Sequence, residues 1–203
     1  MCYNQYNYQI MPKEAYSIIR NCGGCGCKTN YVSTNEFRVN ANGNKVDVWL
    51  IYQCEKCKHT YNLPIYERVR PNEIKAEYEQ FLANDQDMAL KYGMDRSLFI
   101  RNKAEIDAEH INYSINKVEV VDSRYGEGFE IYNPYELKLR TDKVVAEILG
   151  LSRSEIKECI KQGEILLEKR YIGKQMHISI QKINVTQEFK KNVKQTATRS
   201  LNA

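Results

Sequence analysis

The chain has 203 residues, of which 42% are hydrophobic, 28% charged and 10% aromatic, the proportions of an ordinary globular protein with room for one large domain or two small ones. The longest apolar run, Val48-Trp49-Leu50-Ile51-Tyr52, falls far short of the ~18 residues of a membrane span, and Met1-Cys2-Tyr3-Asn4-Gln5 lacks the basic-then-apolar order of a secretory signal, so no membrane partner and no export are expected. The net charge of +4 hides an asymmetry: residues 1–137 carry 16 Lys/Arg against 19 Asp/Glu, whereas residues 138–203 carry 14 against 7.

The first seventy residues read as strands. Tyr6, Tyr8 and Ile10 alternate with polar residues at the period of a half-buried strand. Phe37 and Val39 alternate as well, and Asn42-Gly43 suits a turn that needs positive φ. Val46 to Tyr52 is apolar at nearly every position and should lie inside its sheet. Tyr61 to Tyr66 predicts a further strand, which Pro64 confines to an edge or shortens. At Pro71 the period changes. Asn72 can cap a helix whose apolar face is Ile74, Tyr78, Phe81 and Leu82. A second short helix through Met88, Ala89 and Tyr92 should stop at Gly93, and Asp95 can cap a third carrying Leu98 and Phe99. Alternation returns from His110 to Val121, and Gly126 to Gly128 marks a turn. Two short helices, two strands and a polar tail over residues 190–203, expected to be frayed, complete the chain.

Seven cysteines, an odd number without an export signal, point to a reducing, cytoplasmic setting rather than a disulfide framework. Cys22-Gly23-Gly24-Cys25 and Cys54-Glu55-Lys56-Cys57 are two Cys-x-x-Cys pairs separated by the expected hairpin. Four soft thiolates suit a tetrahedral zinc, each pair giving two sulfurs from one tight knuckle, and this is the arrangement of a zinc ribbon. Cys27 and His59 compete as ligands. The symmetric assignment uses Cys22, Cys25, Cys54 and Cys57 and leaves Cys27 and His59 beside the site. Four cysteines close the metal's shell, so one structural zinc ion is expected rather than a catalytic one with an open position. No histidine stands in the His-x-Glu context that a zinc deaminase needs, and no Ser/His/Asp order or phosphate-cradling glycine loop appears, so an enzyme is not expected.

In the last third, Arg140-Thr141-Asp142-Lys143 opens a helix with apolar Val144, Val145, Ile148 and Leu149, closed near Gly150. Ser152 caps the next helix, with Glu155 three residues on to complete a capping box. Ile156, Cys159 and Ile160 form its stripe, Cys159 reading as a small buried hydrophobe, and Gly163 ends it. Strands are expected over Glu164 to Glu168 and through Met176, Ile178 and Ile180. Arg153, Lys157 and Lys161 fall at i, i+4 and i+8 in a cationic row that Arg140 and Lys143 extend, matching a phosphate backbone in a general way. The bland alternative is a solvated helix face.

Residues 139–166 resemble the S-four-like RNA-binding module found in a ribosomal protein, pseudouridine synthases, tyrosyl-tRNA synthetases and a heat-shock ribosome-binding protein. The resemblance rests on Arg140, Asp142, Lys143, Ser152, Arg153, Ser154 and Gly163. It implies that Arg140, Lys143, Ser152, Arg153, Lys157 and Lys161 face structured RNA. The chain departs from that module after Leu167, where Glu168 to Lys174 replace an Asn-Gly-Lys turn. Most of the length is also similar to the bacterial domain-of-unknown-function family 1062, carried by Phe37 to Cys54 and by Cys57-Lys58-His59-Thr60. That resemblance brings no activity with it.

The expectation is an α+β protein. Residues 1–70 would form a zinc-ribbon β-sheet and 71–133 a connecting region of short helices and a strand. Residues 134–189 would form the S-four-like helix pair plus β-hairpin, with the tail beyond. Its function would be non-enzymatic, binding RNA or the ribosome. The alternative is a protein-interaction adaptor, for which fifteen tyrosines supply contact groups.

Overall fold

A computed structural model describes residues 6–119 and 128–181 of the chain. Cys2 and the expectations for Val120 and Val121, for the turn opening at Gly126 and for residues 182–203 lie outside those residues. In chain order the elements are β1 (Tyr6–Pro12), β2 (Ser17–Asn21), β3 (Lys28–Asn42), β4 (Lys45–Cys54), β5 (Thr60–Val69), a 3-10 turn (Pro71–Ile74), α1 (Lys75–Leu82), α2 (Gln86–Gly93) and α3 (Arg96–Arg101). They continue with β6 (Glu105–Asp107), β7 (Tyr113–Glu119), β8 (Gly128–Tyr132), α4 (Thr141–Leu149), α5 (Arg153–Lys161), β9 (Ile165–Leu166) and β10 (Gln175–Ile180). The protein is therefore α+β, with two sheets and short helices. Its contacts separate two compact units: residues 12–113, and a second made of residues 6–11, 114–119 and 128–181.

The unit of residues 12–113 is built on a five-stranded sheet of order β5-β4-β3-β2-β6, every described pairing antiparallel. Asn42-Gly43 makes the β3–β4 turn, with Gly43 at φ +63, where the lack of a Cβ is used. The apolar run of β4 lies between β3 and β5, as its composition predicts. Val46, Val48, Leu50, Tyr52 and Cys54 are buried and their alternates half-buried. Pro64 sits on the edge strand β5, opposite Trp49, where its missing N–H leaves no gap in the interior of the sheet.

The second and third helices begin where short polar side chains satisfy their free N–H groups. Asp85 accepts from the Met88 N–H at 2.8 Å, and Asp95 from the Ser97 N–H at 2.9 Å. Asn72 is not the cap of the first. Pro71 presets a helical φ, so a 3-10 turn opens there and the Glu73 carboxylate accepts from the Arg70 N–H. Of the expected apolar face, Ile74 and Phe81 are buried, whereas Leu82, about 100° further round the helix, is 53% exposed. The aromatic core follows: Phe37 meets Phe81 edge-on at 4.9 Å, and Phe99 meets Tyr16 and Tyr52. Gly93 closes α2 against Ala15, and a Cβ there would lie 2.3 Å from the Ala15 Cβ. The ends of the unit are tied together, Lys13 N–H donating to the Asn112 carbonyl at 2.9 Å.

In the other unit β1 pairs in parallel with β8, Tyr8 opposite Ile131, although more than a hundred residues separate them. β8 pairs with β10 and β10 with β9, giving the order β7-β1-β8-β10-β9. Tyr8, Ile10, Phe129, Ile131, Met176 and Ile178 are buried at alternate positions of their strands. α4 turns Val144, Val145, Ala146 and Leu149 inward and stops at Gly150, whose φ is +67. α5 carries the expected capping box: Ser152 Oγ accepts from the Glu155 N–H at 3.2 Å and the Glu155 carboxylate from the Ser152 N–H at 2.7 Å. Ile156 is buried and Cys159 half-buried.

The strand expected over Glu164 to Glu168 is only Ile165–Leu166, because the following residues serve the start of α4 instead. Thr141 N–H donates to the Arg170 carbonyl at 3.0 Å, Thr141 Oγ1 to the Lys169 carbonyl at 2.8 Å, and Ile172 N–H to the Leu139 carbonyl at 3.0 Å.

Candidate metal centre

The meander β2-β3-β4-β5 places alternate turns at the same end of its sheet. The β3–β4 turn lies at one end, so the β2–β3 turn (residues 22–27) and the β4–β5 turn (residues 55–59) share the other. Register brings them level: Tyr31 stands opposite Cys54, and the Glu55 N–H donates to the Asn30 carbonyl at 3.0 Å.

The two turns repeat one backbone design. The Cys22 carbonyl accepts from the Gly26 N–H at 2.8 Å and the Cys22 N–H donates to the Cys27 carbonyl at 2.9 Å. The Cys54 carbonyl accepts from the Lys58 N–H at 3.0 Å and the Cys54 N–H donates to the His59 carbonyl at 2.9 Å. Gly26 and Lys58, equivalent in this scheme, both have positive φ, +68 and +62. Cys27 and His59 are thus equivalent positions too, each holding the first cysteine of its knuckle by its main-chain carbonyl.

The Sγ atoms of Cys22, Cys25, Cys54 and Cys57 all lie within 4.8 Å of one another, and this group of four can hold a metal ion. Neither Cys27 nor His59 belongs to it. Cys22 Sγ is 3.4 Å from Cys57 Sγ, and Cys25 Sγ is 3.8 Å from Cys54 Sγ. A disulfide would bring two sulfurs to about 2.05 Å, whereas four thiolates about 2.3 Å from one zinc stand about 3.8 Å apart along each edge of the tetrahedron. The observed spacing fits the second case. Cys22 and Cys54 are buried, Cys25 is half-buried and Cys57 exposed.

Their protonation follows from crowding. A hydrogen bond from Tyr31 to its sulfur, with smaller ones from the Cys25 N–H and Cys57, outweighs burial and holds Cys22 down to about 6. Burial raises Cys54, but the N–H groups of Cys57 and Lys56 bring it below the usual thiol range. Cys25 is pushed up to about 12, first by its hydrogen bond with Cys57 and then by burial and the neighbouring sulfurs. Cys57 takes a lowering hydrogen bond from the His59 N–H, yet the Cys22 sulfur, burial and the Cys54 sulfur leave it raised. Cys22 and Cys54 are thus lowered and Cys25 and Cys57 raised, as expected where like charges this close suppress one another. A divalent cation removes that repulsion and lets all four sulfurs ionise.

Sequence reasoning identified the four cysteines but not their supports. Gly24 leaves room for a sulfur: a Cβ there would lie 2.9 Å from Cys57 Sγ, whereas at Gly23 the nearest atom, His59 Nε2, is 3.8 Å away. Tyr31 is buried, its ring edge-on to Tyr61 with centroids 6.5 Å apart, and Arg20 lies over Tyr61 at 3.7 Å from its centroid. The available signal was the alternation that turns Tyr31 to the same side as Ile18, its partner on β2.

The cationic residues gather only in part. Asp142 accepts from Arg140 through both carboxylate oxygens, at 3.0 and 2.9 Å, and from Arg153 at 3.0 Å, so the starts of α4 and α5 meet at one carboxylate. Burial raises the Asp142 carboxyl, and the two guanidinium groups outweigh it, leaving it below the usual carboxylate range. Lys143, Lys157 and Lys161 are exposed, Lys161 lying 4.0 Å from Glu158. Ser152 spends its hydroxyl on the helix cap. The reading of α4 and α5 overlooked Tyr171, 39% exposed, with Lys138 Nζ 5.7 Å and the Arg170 guanidinium 5.6 Å from its ring centroid. Tyr171 stands opposite Arg140 in an isolated bridge, a placement that depends on the unexpected pairing of residues 169–172.

The fold and site define a two-unit α+β protein with a four-cysteine cluster able to hold a metal ion. The family described as "Protein of unknown function (DUF1062)" matches residues 39–171, and the chain belongs to it. The match takes in the second cysteine knuckle and the α4–α5 pair. No curated protein and no solved structure matches the chain. Among the described residues no helix is long and apolar enough to cross a membrane.

Proposed function

We propose that the protein is a non-enzymatic zinc protein of a reducing, cytoplasmic setting, in which one zinc ion pins the β2–β3 and β4–β5 turns and the basic α4–α5 pair binds structured RNA or the ribosome. The zinc reading rests on the sulfur spacing and on four ligands that leave no open position for water or substrate. The RNA reading rests on one observation: Arg140 and Arg153 are fixed at a single carboxylate, beside the exposed Tyr171, with Lys157 and Lys161 following one and two turns along α5. Fixed guanidinium groups lose less side-chain freedom on meeting phosphate than mobile ones. The S-four-like resemblance of residues 139–166 supports the same face.

A gel shift with structured ribosomal or transfer RNA across a salt series tests this reading. Affinity should fall steeply with salt, and Arg153→Glu with Lys157→Glu should abolish binding. No binding at low salt, or binding indifferent to that double change, overturns it. A pull-down dominated by one protein and insensitive to ribonuclease would favour the interaction adaptor instead.

A further inference from the structure

We propose that the outer face of the sheet formed by β1, β8 and β10 carries a binding site for a purine mononucleotide. Tyr132 is the platform for the base, Gln9 and Gln175 read its edge, and Lys174 meets the phosphate. Every residue of the site belongs to the unit that contains β8. None is a metal ligand or a member of the cationic row on α4 and α5.

Register builds the floor. Gln9 on β1 stands opposite Tyr132 on β8, and Tyr132 opposite Gln175 on β10, so the three form one row across adjacent strands. Their chain neighbours Tyr8, Ile10, Ile131 and Met176 are buried, and alternation turns the row to the opposite face. There the row lines a cleft of about 410 Å³ together with Val118 of β7, Pro134 and Lys174. That volume falls within the ~300–1,000 Å³ of small-molecule sites. The Asn133 N–H donates to the Lys174 carbonyl at 2.8 Å, which ties the segments carrying Pro134 and Lys174 together.

The side chains in the cleft select the ligand. A phenol ring offers a flat face on which a nucleobase stacks, and Val118 and Pro134 add apolar surface. A glutamine amide matches the N6 and N7 edge of adenine, accepting from one and donating to the other. Gln175 is already oriented, because its Nε2 donates to Glu130 Oε2 at 3.3 Å. Its carbonyl oxygen and second amide hydrogen are left for a ligand. Glu130 is 7% exposed, and its other oxygen lies 2.9 Å from His177 Nδ1, so the group that orients Gln175 is itself held. Among the described residues neither the Gln9 amide nor the Lys174 ammonium has a side-chain partner. Lys174 therefore brings a positive charge that nothing beside it offsets, the requirement of a phosphate contact. It precedes Gln175 on the chain, whereas His177, opposite Glu130, follows, so the cation and the buried carboxylate stand at opposite ends of the row.

Isothermal titration calorimetry of the full chain with adenosine monophosphate, adenosine and ribose phosphate tests the assignment. Adenosine monophosphate should bind at one site per chain and more tightly than either fragment. Tyr132→Ala should weaken it about tenfold, the order of one lost base stack. Lys174→Gln should weaken it about tenfold, the order of one charge-assisted hydrogen bond, and leave adenosine unchanged. Lys45→Gln, an exposed lysine of the other unit, should change none of the three. No saturable binding of adenosine monophosphate at millimolar concentration overturns the assignment, as does binding that either Tyr132→Ala or Lys174→Gln leaves intact. Binding of an adenylate oligomer without the monomer also overturns it, because the face would then serve RNA. Should Tyr132→Ala fail to fold, Gln9→Leu decides: weaker adenosine binding supports the site, and unchanged binding refutes it.

Discussion

Cys22 Sγ and Cys57 Sγ stand 3.4 Å apart although 35 residues separate them in the chain. Neither strand pairing nor side-chain packing requires two sulfurs to meet there. The two turns do, by presenting their cysteines with the same backbone hydrogen bonds from opposite sides. The knuckle equivalence therefore makes a sharp separation between ligands and look-alikes. Cys27→Ser and His59→Gln should retain metal, since those positions contribute main-chain carbonyls rather than side chains. Cys22→Ser and Cys54→Ser should lose it. Metal content of the four purified variants checks this.

Gly24 makes a second test, without changing a ligand. Gly24→Ala places a Cβ 2.9 Å from Cys57 Sγ and should lower metal affinity about tenfold, the order of a modest overpacking penalty. Gly23→Ala meets nothing closer than 3.8 Å and should bind as the wild type does. Chelator competition on the pair distinguishes local crowding from a general loss of knuckle flexibility.

Asp142 should give the α4–α5 pair a pH-dependent stability. Its carboxyl is held below the usual value in the folded chain, so the contribution is complete above the unfolded value of about 3.9 and disappears as pH falls through the folded one. Asp142→Asn should therefore destabilise the unit at pH 7 by roughly 1 kcal/mol, since both guanidinium partners remain largely solvated. The gap between variant and wild type should close towards pH 3. Thermal unfolding followed across pH reads the difference.

Gly93→Ala should destabilise the unit of residues 12–113 by about 1–3 kcal/mol, because the added methyl group would lie 2.3 Å from the Ala15 Cβ. Denaturant unfolding measures it. The sequence marked Gly93 as a helix stop, whereas its structural duty is this close approach.

That difference illustrates what was legible. Signals contained within a few residues were read well: the Asn42-Gly43 turn, the cap at Asp95, the Ser152–Glu155 capping box, Gly150, and the two Cys-x-x-Cys pairs. Each is a local rule whose partners lie within a turn or a knuckle. Features decided by distant partners were not. The parallel pairing of Tyr8 with Ile131 joins segments with an entire unit between them. The strand expected after Gly163 is cut short because Lys169 and Arg170 satisfy Thr141, a demand set by α4 rather than by their own sequence. Among the cations, spacing showed the row on α5 but not the shared carboxylate joining Arg140 to Arg153, which needs the fold of both helices.

The central claim is that four cysteines hold one zinc ion, and elemental analysis by plasma mass spectrometry of protein purified without added metal tests it most directly. The account predicts about one zinc per chain, lost together with folded stability in Cys22→Ser and Cys54→Ser. Protein that is folded and free of metal, or variants that keep a full complement of zinc, would contradict it.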